Sequence, residues 1–112
     1  MSTVAAAALY ACRTGDVPPG EGRAITLDGR RIAIFRAAGG WYALDAACPH
    51  RGGPLGDGII CDRAVICPLH ERRFDLRTGA AMTTGDGVAA HRVEVRGERV
   101  FVTLAARARD AS

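Results

Sequence analysis

Two short runs, Cys48-Pro49-His50 and Cys67-Pro68-Leu69-His70, restrict this chain more than anything else in it. Each carries one cysteine and one histidine, with a proline directly after the cysteine, and residues 51–66 lie between them. Thiolate sulfur and neutral imidazole select zinc, copper or iron-sulfur chemistry over magnesium or calcium. The fold therefore has to bring two separate loops to one soft-metal site.

At 112 residues the chain is the size of one globular domain. We expect a single domain over residues 1–112, with a core from about 9 to 104 and frayed ends. The formal net charge is only +3, and all 15 basic residues are arginine. A balance this mild and scattered does not make a nucleic-acid surface. The apolar run Val4 to Ala11 lacks a basic segment before it and is short for a secretory leader. It reads instead as the approach to a first strand near Leu9. No stretch reaches the ~20 apolar residues of a membrane span, and a cytoplasmic protein is expected.

Short strand signals with glycine turns run the length of the chain. Gly22 to Leu27 and Arg31 to Arg36 flank Asp28-Gly29, a strong hairpin signal. Ile32 and Ile34 alternate with Ala33 and Phe35, so both faces of that second strand should be covered. Trp41 to Leu44 closes a meander just before the first Cys/His run. Arg51 to Gly58 holds four glycines and a proline, which predicts a loop whose backbone approaches something closely. Ile59-Ile60 and Ala64 to Ile66 make a short hairpin that delivers Cys67. Ala89 to Val95 and Arg99 to Leu104 form a last hairpin, with Val93, Val95, Val100, Val102 and Leu104 turned inward. The class is all-β, an antiparallel sandwich or small barrel holding the site at the tips of two loops.

On spacing alone, two cysteines and two histidines can close a tetrahedron around a structural zinc, and a zinc-stabilised binding module is one reading. Zinc sites usually pair like with like inside each run, however, and here each run has one of each. In a two-iron cluster two cysteines hold one iron and two histidines the other, an arrangement that mixed runs also suit.

Cys48-Pro49-His50-Arg51-Gly52-Gly53-Pro54-Leu55, with Cys67-Pro68-Leu69-His70 through Phe74-Asp75-Leu76-Arg77-Thr78-Gly79, closely resembles the two signature boxes of Rieske [2Fe-2S] proteins. The resemblance spans about Leu9 to Leu104. It implies a [2Fe-2S] cofactor with Cys48 and Cys67 on one iron and His50 and His70 on the other. High-potential family members carry an additional disulfide between the boxes and a serine and a tyrosine against the cluster. Gly53, Leu69, Arg72 and Phe74 occupy those positions here. Losing two hydroxyl donors removes stabilisation from the more negative, reduced state, so a low potential is expected.

Rieske oxygenases react at a further iron held by two histidines and a carboxylate. Once the cluster is served only His91 remains, so the resemblance implies electron transfer without catalysis by this chain alone. The charged run Glu71-Arg72-Arg73 is similar to the small subunit of NAD(P)H nitrite reductase, which is the expected system. A free ferredoxin of an aromatic-ring oxygenase is the alternative. Redox partner proteins would then dock near Arg51, Arg72 and Arg73, which adjoin the histidines. Cys12 and Cys61 are expected to be inert, partly buried thiols, His91 to pack or meet water, and Trp41 and Tyr42 to serve the core or its rim.

Overall fold

The computed structural model describes residues 8–37, 39–47, 54–68, 72–82 and 87–105. Nine strands form among them: β1 (Ala8–Arg13), β2 (Gly22–Leu27), β3 (Arg30–Ala37), β4 (Gly40–Asp45), β5 (Ile59–Cys61), β6 (Ala64–Ile66), β7 (Arg73–Asp75), β8 (Ala90–Arg96) and β9 (Arg99–Thr103). There is no α-helix among the described residues, only two 3-10 turns at Thr14–Asp16 and Leu55–Asp57. The second turn corrects the expectation of an unbroken loop from Arg51 to Gly58.

The strands make two antiparallel sheets, a six-stranded one in the order β1-β9-β8-β4-β3-β2 and a three-stranded one in the order β5-β6-β7. The edge strands β1 and β2 of the larger sheet approach one another, so it curls into a nearly closed barrel. Asp28 and Gly29 carry φ of 51° and 79°, the pair of positive values that a two-residue hairpin turn demands. The β2-β3-β4 meander expected from the sequence follows, with Leu27 paired to Arg30 and Ala37 to Gly40.

β3 and β4 are apolar on both faces, and each face serves a different core. Ile32, Ile34 and Ala43 pack with Cys12, Val17, Val100 and Val102 on one side. Ala33, Phe35 and Leu44 pack with Ala46, Leu55, Val65, Cys67, Phe74 and Leu76 on the other, beneath the small sheet. Trp41 lies against the first core and Tyr42 against the second, rim positions as anticipated. The last hairpin turns on Gly97 and Glu98 alone, since Arg96 pairs directly with Arg99. Val100 and Val102 are buried as anticipated, but Val95 is exposed. β4 pairs with β8 only at Ala43–His91 and Leu44–Ala90, so Val95 has β9 beside it on one side and no β4 partner on the other.

Candidate metal centre

The first loop leaves the sheet after β4 and is drawn shut at its base. Ala47 and Pro54 form an isolated antiparallel bridge, and the Leu55 N–H donates to the Ala46 carbonyl at 2.8 Å. Beyond that neck, Gly58 sits so close to β6 that a Cβ would lie 2.5 Å from the Ile66 carbonyl oxygen. Only glycine fits, and the expected close approach of this segment's backbone is thus made against the neighbouring strand. The second loop leaves β6 at Cys67 and returns at Arg72, with the Cys67 N–H donating to the Arg72 carbonyl at 2.7 Å.

Both necks rise from one apolar floor. Ala46 and Leu55 from the first, and Cys67 with its neighbours Val65 and Phe74 from the second, belong to the same buried cluster. Cys67 is itself fully buried. Cys48, His50 and His70 lie outside the described residues, and among the described residues no group of three or more metal-ligating side chains forms. The donor chemistry fits a soft metal: Cys67 is a shielded thiol at the mouth of one loop, and the sequence of the other loop carries a further cysteine and a histidine. Phe74 is buried in the floor beside Cys67, where its ring contributes no hydroxyl.

The remaining cysteines stand apart. Cys12 is buried in the other core, and burial first, then the Asp16 carboxylate, pushes its thiol above the ordinary value, which disfavours the reactive thiolate. Cys61 is exposed, contrary to the expectation of partial burial. It ends β5 just before the Asp62-Arg63 turn, on the face of the small sheet turned away from the floor. Of the expected arginine collar, Arg73 is exposed and Arg72 half-buried, and Arg51 falls outside the described residues.

Sequence reasoning missed Asp45, the last residue of β4. Its carboxylate accepts from His91 Nε2 at 2.9 Å, from Arg30 at 3.4 Å and from the Ala89 N–H at 3.3 Å. Arg30 also donates to the Ala105 carbonyl at 2.6 Å. The Ala105 N–H donates to His91 Nδ1 at 2.9 Å, which leaves the ring hydrogen on Nε2 to face Asp45. His91 is therefore buried as expected but fully bonded. A lone strand-ending aspartate gives no signal of this in sequence. The network joins β3, β4, β8 and the segment after β9 directly below the first neck.

Burial holds His91 below its ordinary value of 6.5, an effect that the Asp45 hydrogen bond and charge oppose and Arg30 reinforces. The unfolded chain thus takes up this proton more readily than the folded one. Stability from His91 is complete above about pH 6.5 and is lost as pH falls through that value toward the lower, folded one. A second proton must enter at Nδ1 and displace the Ala105 N–H. Urea unfolding between pH 7.5 and 5.5 should show a slope approaching about 1.4 kcal/mol per pH unit, which His91→Gln flattens. Equal slopes in both proteins would show that this ring does not carry the effect.

Residues 7–103 match the family model of the Rieske [2Fe-2S] domain. The chain belongs to the Rieske [2Fe-2S] family. A curated relative, the ferredoxin component of the naphthalene 1,2-dioxygenase system of Pseudomonas aeruginosa, is 33% identical over 101 residues, 88% of this chain and 92% of the relative. Among solved structures, the ferredoxin of carbazole 1,9a-dioxygenase from Nocardioides aromaticivorans IC177 superposes with a TM-score of 0.79 at 29% identity, covering 86% of this chain and 96% of that one. A structure described as an NADH-dependent nitrite reductase small subunit from Mycobacterium tuberculosis gives 0.83 at 26% identity, covering 90% and 97%. This Rieske chain is accordingly an electron-transfer protein whose family cofactor is the [2Fe-2S] cluster. None of its described helices is long and apolar enough to cross a membrane.

Proposed function

We propose that Cys48 and Cys67 hold one iron of the cluster and His50 and His70 the other, and that the chain is a low-potential one-electron carrier of the cytoplasm. The bound cluster supplies reversible one-electron chemistry. The chain's own residues supply the rest. Ala46, Leu55, Val65 and Phe74 keep water from the buried sulfur of Cys67, and hydrogen bonds close the base of each loop over the same floor. That shared floor carries the reading, because it is where the bases of both loops meet. Low-temperature EPR of the dithionite-reduced protein, with iron and sulfide analysis, tests it. A signal of low average g is expected, whereas an EPR-silent protein holding one zinc would end the reading.

The buried phenyl ring of Phe74 supports a low potential, near about −150 mV at the bottom of the Rieske range. Protein-film voltammetry returning a clearly positive value would refute it.

The system served is best read as that of an oxygenase, with this chain as its ferredoxin component. The support is a curated dioxygenase ferredoxin 33% identical over nearly the whole chain, against 26% for the nitrite reductase subunit structure. The second reading, a small subunit of NAD(P)H nitrite reductase, rests on Glu71-Arg72-Arg73 and the TM-score of 0.83. Arg51, Arg72 and Arg73 are the proposed docking residues in either system. Mixing the reduced protein with a ring-hydroxylating oxygenase plus aromatic substrate, or with a sirohaem nitrite reductase plus nitrite, separates the two. The acceptor that reoxidises it faster names the system.

A further inference from the structure

Among the described residues no strand or turn lies over the outer face of the small sheet, and the exposed apolar side chains there fall in one row. Ile59 on β5 pairs with Ile66 on β6, and Ile66 pairs with Arg73 on β7. The segment after β7 continues the row, for Phe74 bridges Ala81 and the Met82 N–H donates to the Arg73 carbonyl at 2.8 Å. Directly paired residues project to the same face. The adjoining row, Ile60, Val65, Phe74 and Ala81, lies on or against the buried floor. Ile59, Ile66, Arg73 and Met82 therefore point away from it.

Arg73 is exposed and Ile66 is half-buried between its neighbours. Ile59 is 69% and Met82 56% exposed, two of the four large apolar side chains exposed among the described residues. A third, Tyr10, sits on the barrel and packs edge-on against Phe101. Three strand spacings make the row about 14 Å long. Three of the members lie next in sequence to a loop of the site. Ile66 precedes Cys67, Arg73 follows Arg72, and Ile59 follows the segment that closes the first neck.

An apolar stripe in this place, with an exposed guanidinium in it and the carboxylate of Asp75 on the same face already accepting from the Arg77 and Thr78 N–H groups, fits a particular partner. We propose that Ile59, Ile66, Arg73 and Met82 form the docking row for an electron-transfer protein that presents an apolar patch edged by carboxylates. The inference rests on the proposed function and extends it, moving part of the contact from the histidine-bearing loops onto the flank of the small sheet. Ile59 and Met82 lose water on contact. The stem of Arg73 lies between them and its charge meets the partner's acid. A small, partly apolar contact suits a carrier that must let go after each electron.

The test uses the cluster-loaded protein and the NAD(P)H-dependent reductase purified from the source organism by its ability to reduce it. Ile59→Ser with Met82→Gln should slow the second-order reduction about tenfold, the loss of an interface anchor. Arg73→Glu should slow it comparably and flatten its salt dependence. Val95→Ser, on the remote hairpin, should change neither. Reduction by dithionite and the midpoint potential should be unaltered in all of them. A double variant within twofold of the parent overturns the row, and so does an equal loss in Val95→Ser. A parent that sediments as a dimer which the double variant dissociates gives the face to a second copy and overturns it too. If the parent shows no dithionite-reducible EPR signal, the electron-carrier reading itself fails and takes the row with it.

Discussion

A Cys67→Ala protein purifies folded and colourless, with neither iron nor sulfide and no EPR signal after dithionite. The side chain removed is fully buried, in an apolar floor that accepts a methyl group without stranding a polar atom. The cost to the polypeptide is a small cavity, about 1–2 kcal/mol by the usual price of a deleted buried atom. The cost to the site is total, because a thiolate ligand has no substitute among the other described cysteines. Cys12 belongs to the opposite core, and Cys61 lies on the outer face of the small sheet. Cys12→Ala and Cys61→Ser should therefore keep both colour and signal. Iron analysis together with circular dichroism makes the measurement. A Cys67→Ala protein with its full iron content would refute the ligand assignment, and loss of iron from Cys61→Ser would relocate the site.

Gly79→Ala destabilises the chain by about 3 kcal/mol or more, visible as a fall in Tm of roughly 10 °C or more. Gly79 has φ of 77°, a region costly for any residue with a Cβ. The added methyl would also overlap the Val88 carbonyl oxygen. Neither atom is free to move. The Gly79 N–H donates to the Asp75 carbonyl at 2.7 Å, and the Val88 N–H donates to the Gly79 carbonyl at 2.8 Å. Val88 in turn packs on the floor beneath the metal centre. Gly15 is the comparison: a Cβ there meets nothing within 4 Å, and Gly15→Ala should change stability by no more than about 0.5 kcal/mol. A wild-type melting curve for Gly79→Ala would show that the turn can be rebuilt cheaply.

Features written in local chemistry could be read from the sequence. Asp28-Gly29 announces its turn because few residue pairs tolerate two positive φ values in succession. The alternation through Ile32, Ala33, Ile34 and Phe35 announces a strand covered on both faces. The mixed Cys/His runs, with the residues that follow each of them, resemble the signature boxes of the family and so mark the site. What stayed hidden depends on partners far away in the chain. Val95 alternates correctly with Val93, and only the short overlap of β4 with β8 leaves it bare. Cys61 has apolar neighbours in Ile59 and Ile60, but the two-residue turn puts it on the outer face. Asp45 and His91 are 46 residues apart, and nothing near either announces the bond between them. The docking row is of the same kind, for Ile59, Ile66, Arg73 and Met82 are spaced evenly only after the strands have paired.

The pair of strands with an apolar surface on each side has an evolutionary consequence. Its barrel side, built on Ile32, Ile34, Val100 and Val102, is complete without any residue of the small sheet. The small sheet and its loops build a second, separate core on the other side, where they cover Ala33, Phe35 and Leu44. Inheritance can therefore treat the two halves separately. Ligands, docking residues and loop lengths can drift toward a new redox pair, or the metal can be discarded altogether, while the barrel goes on folding under its own selection.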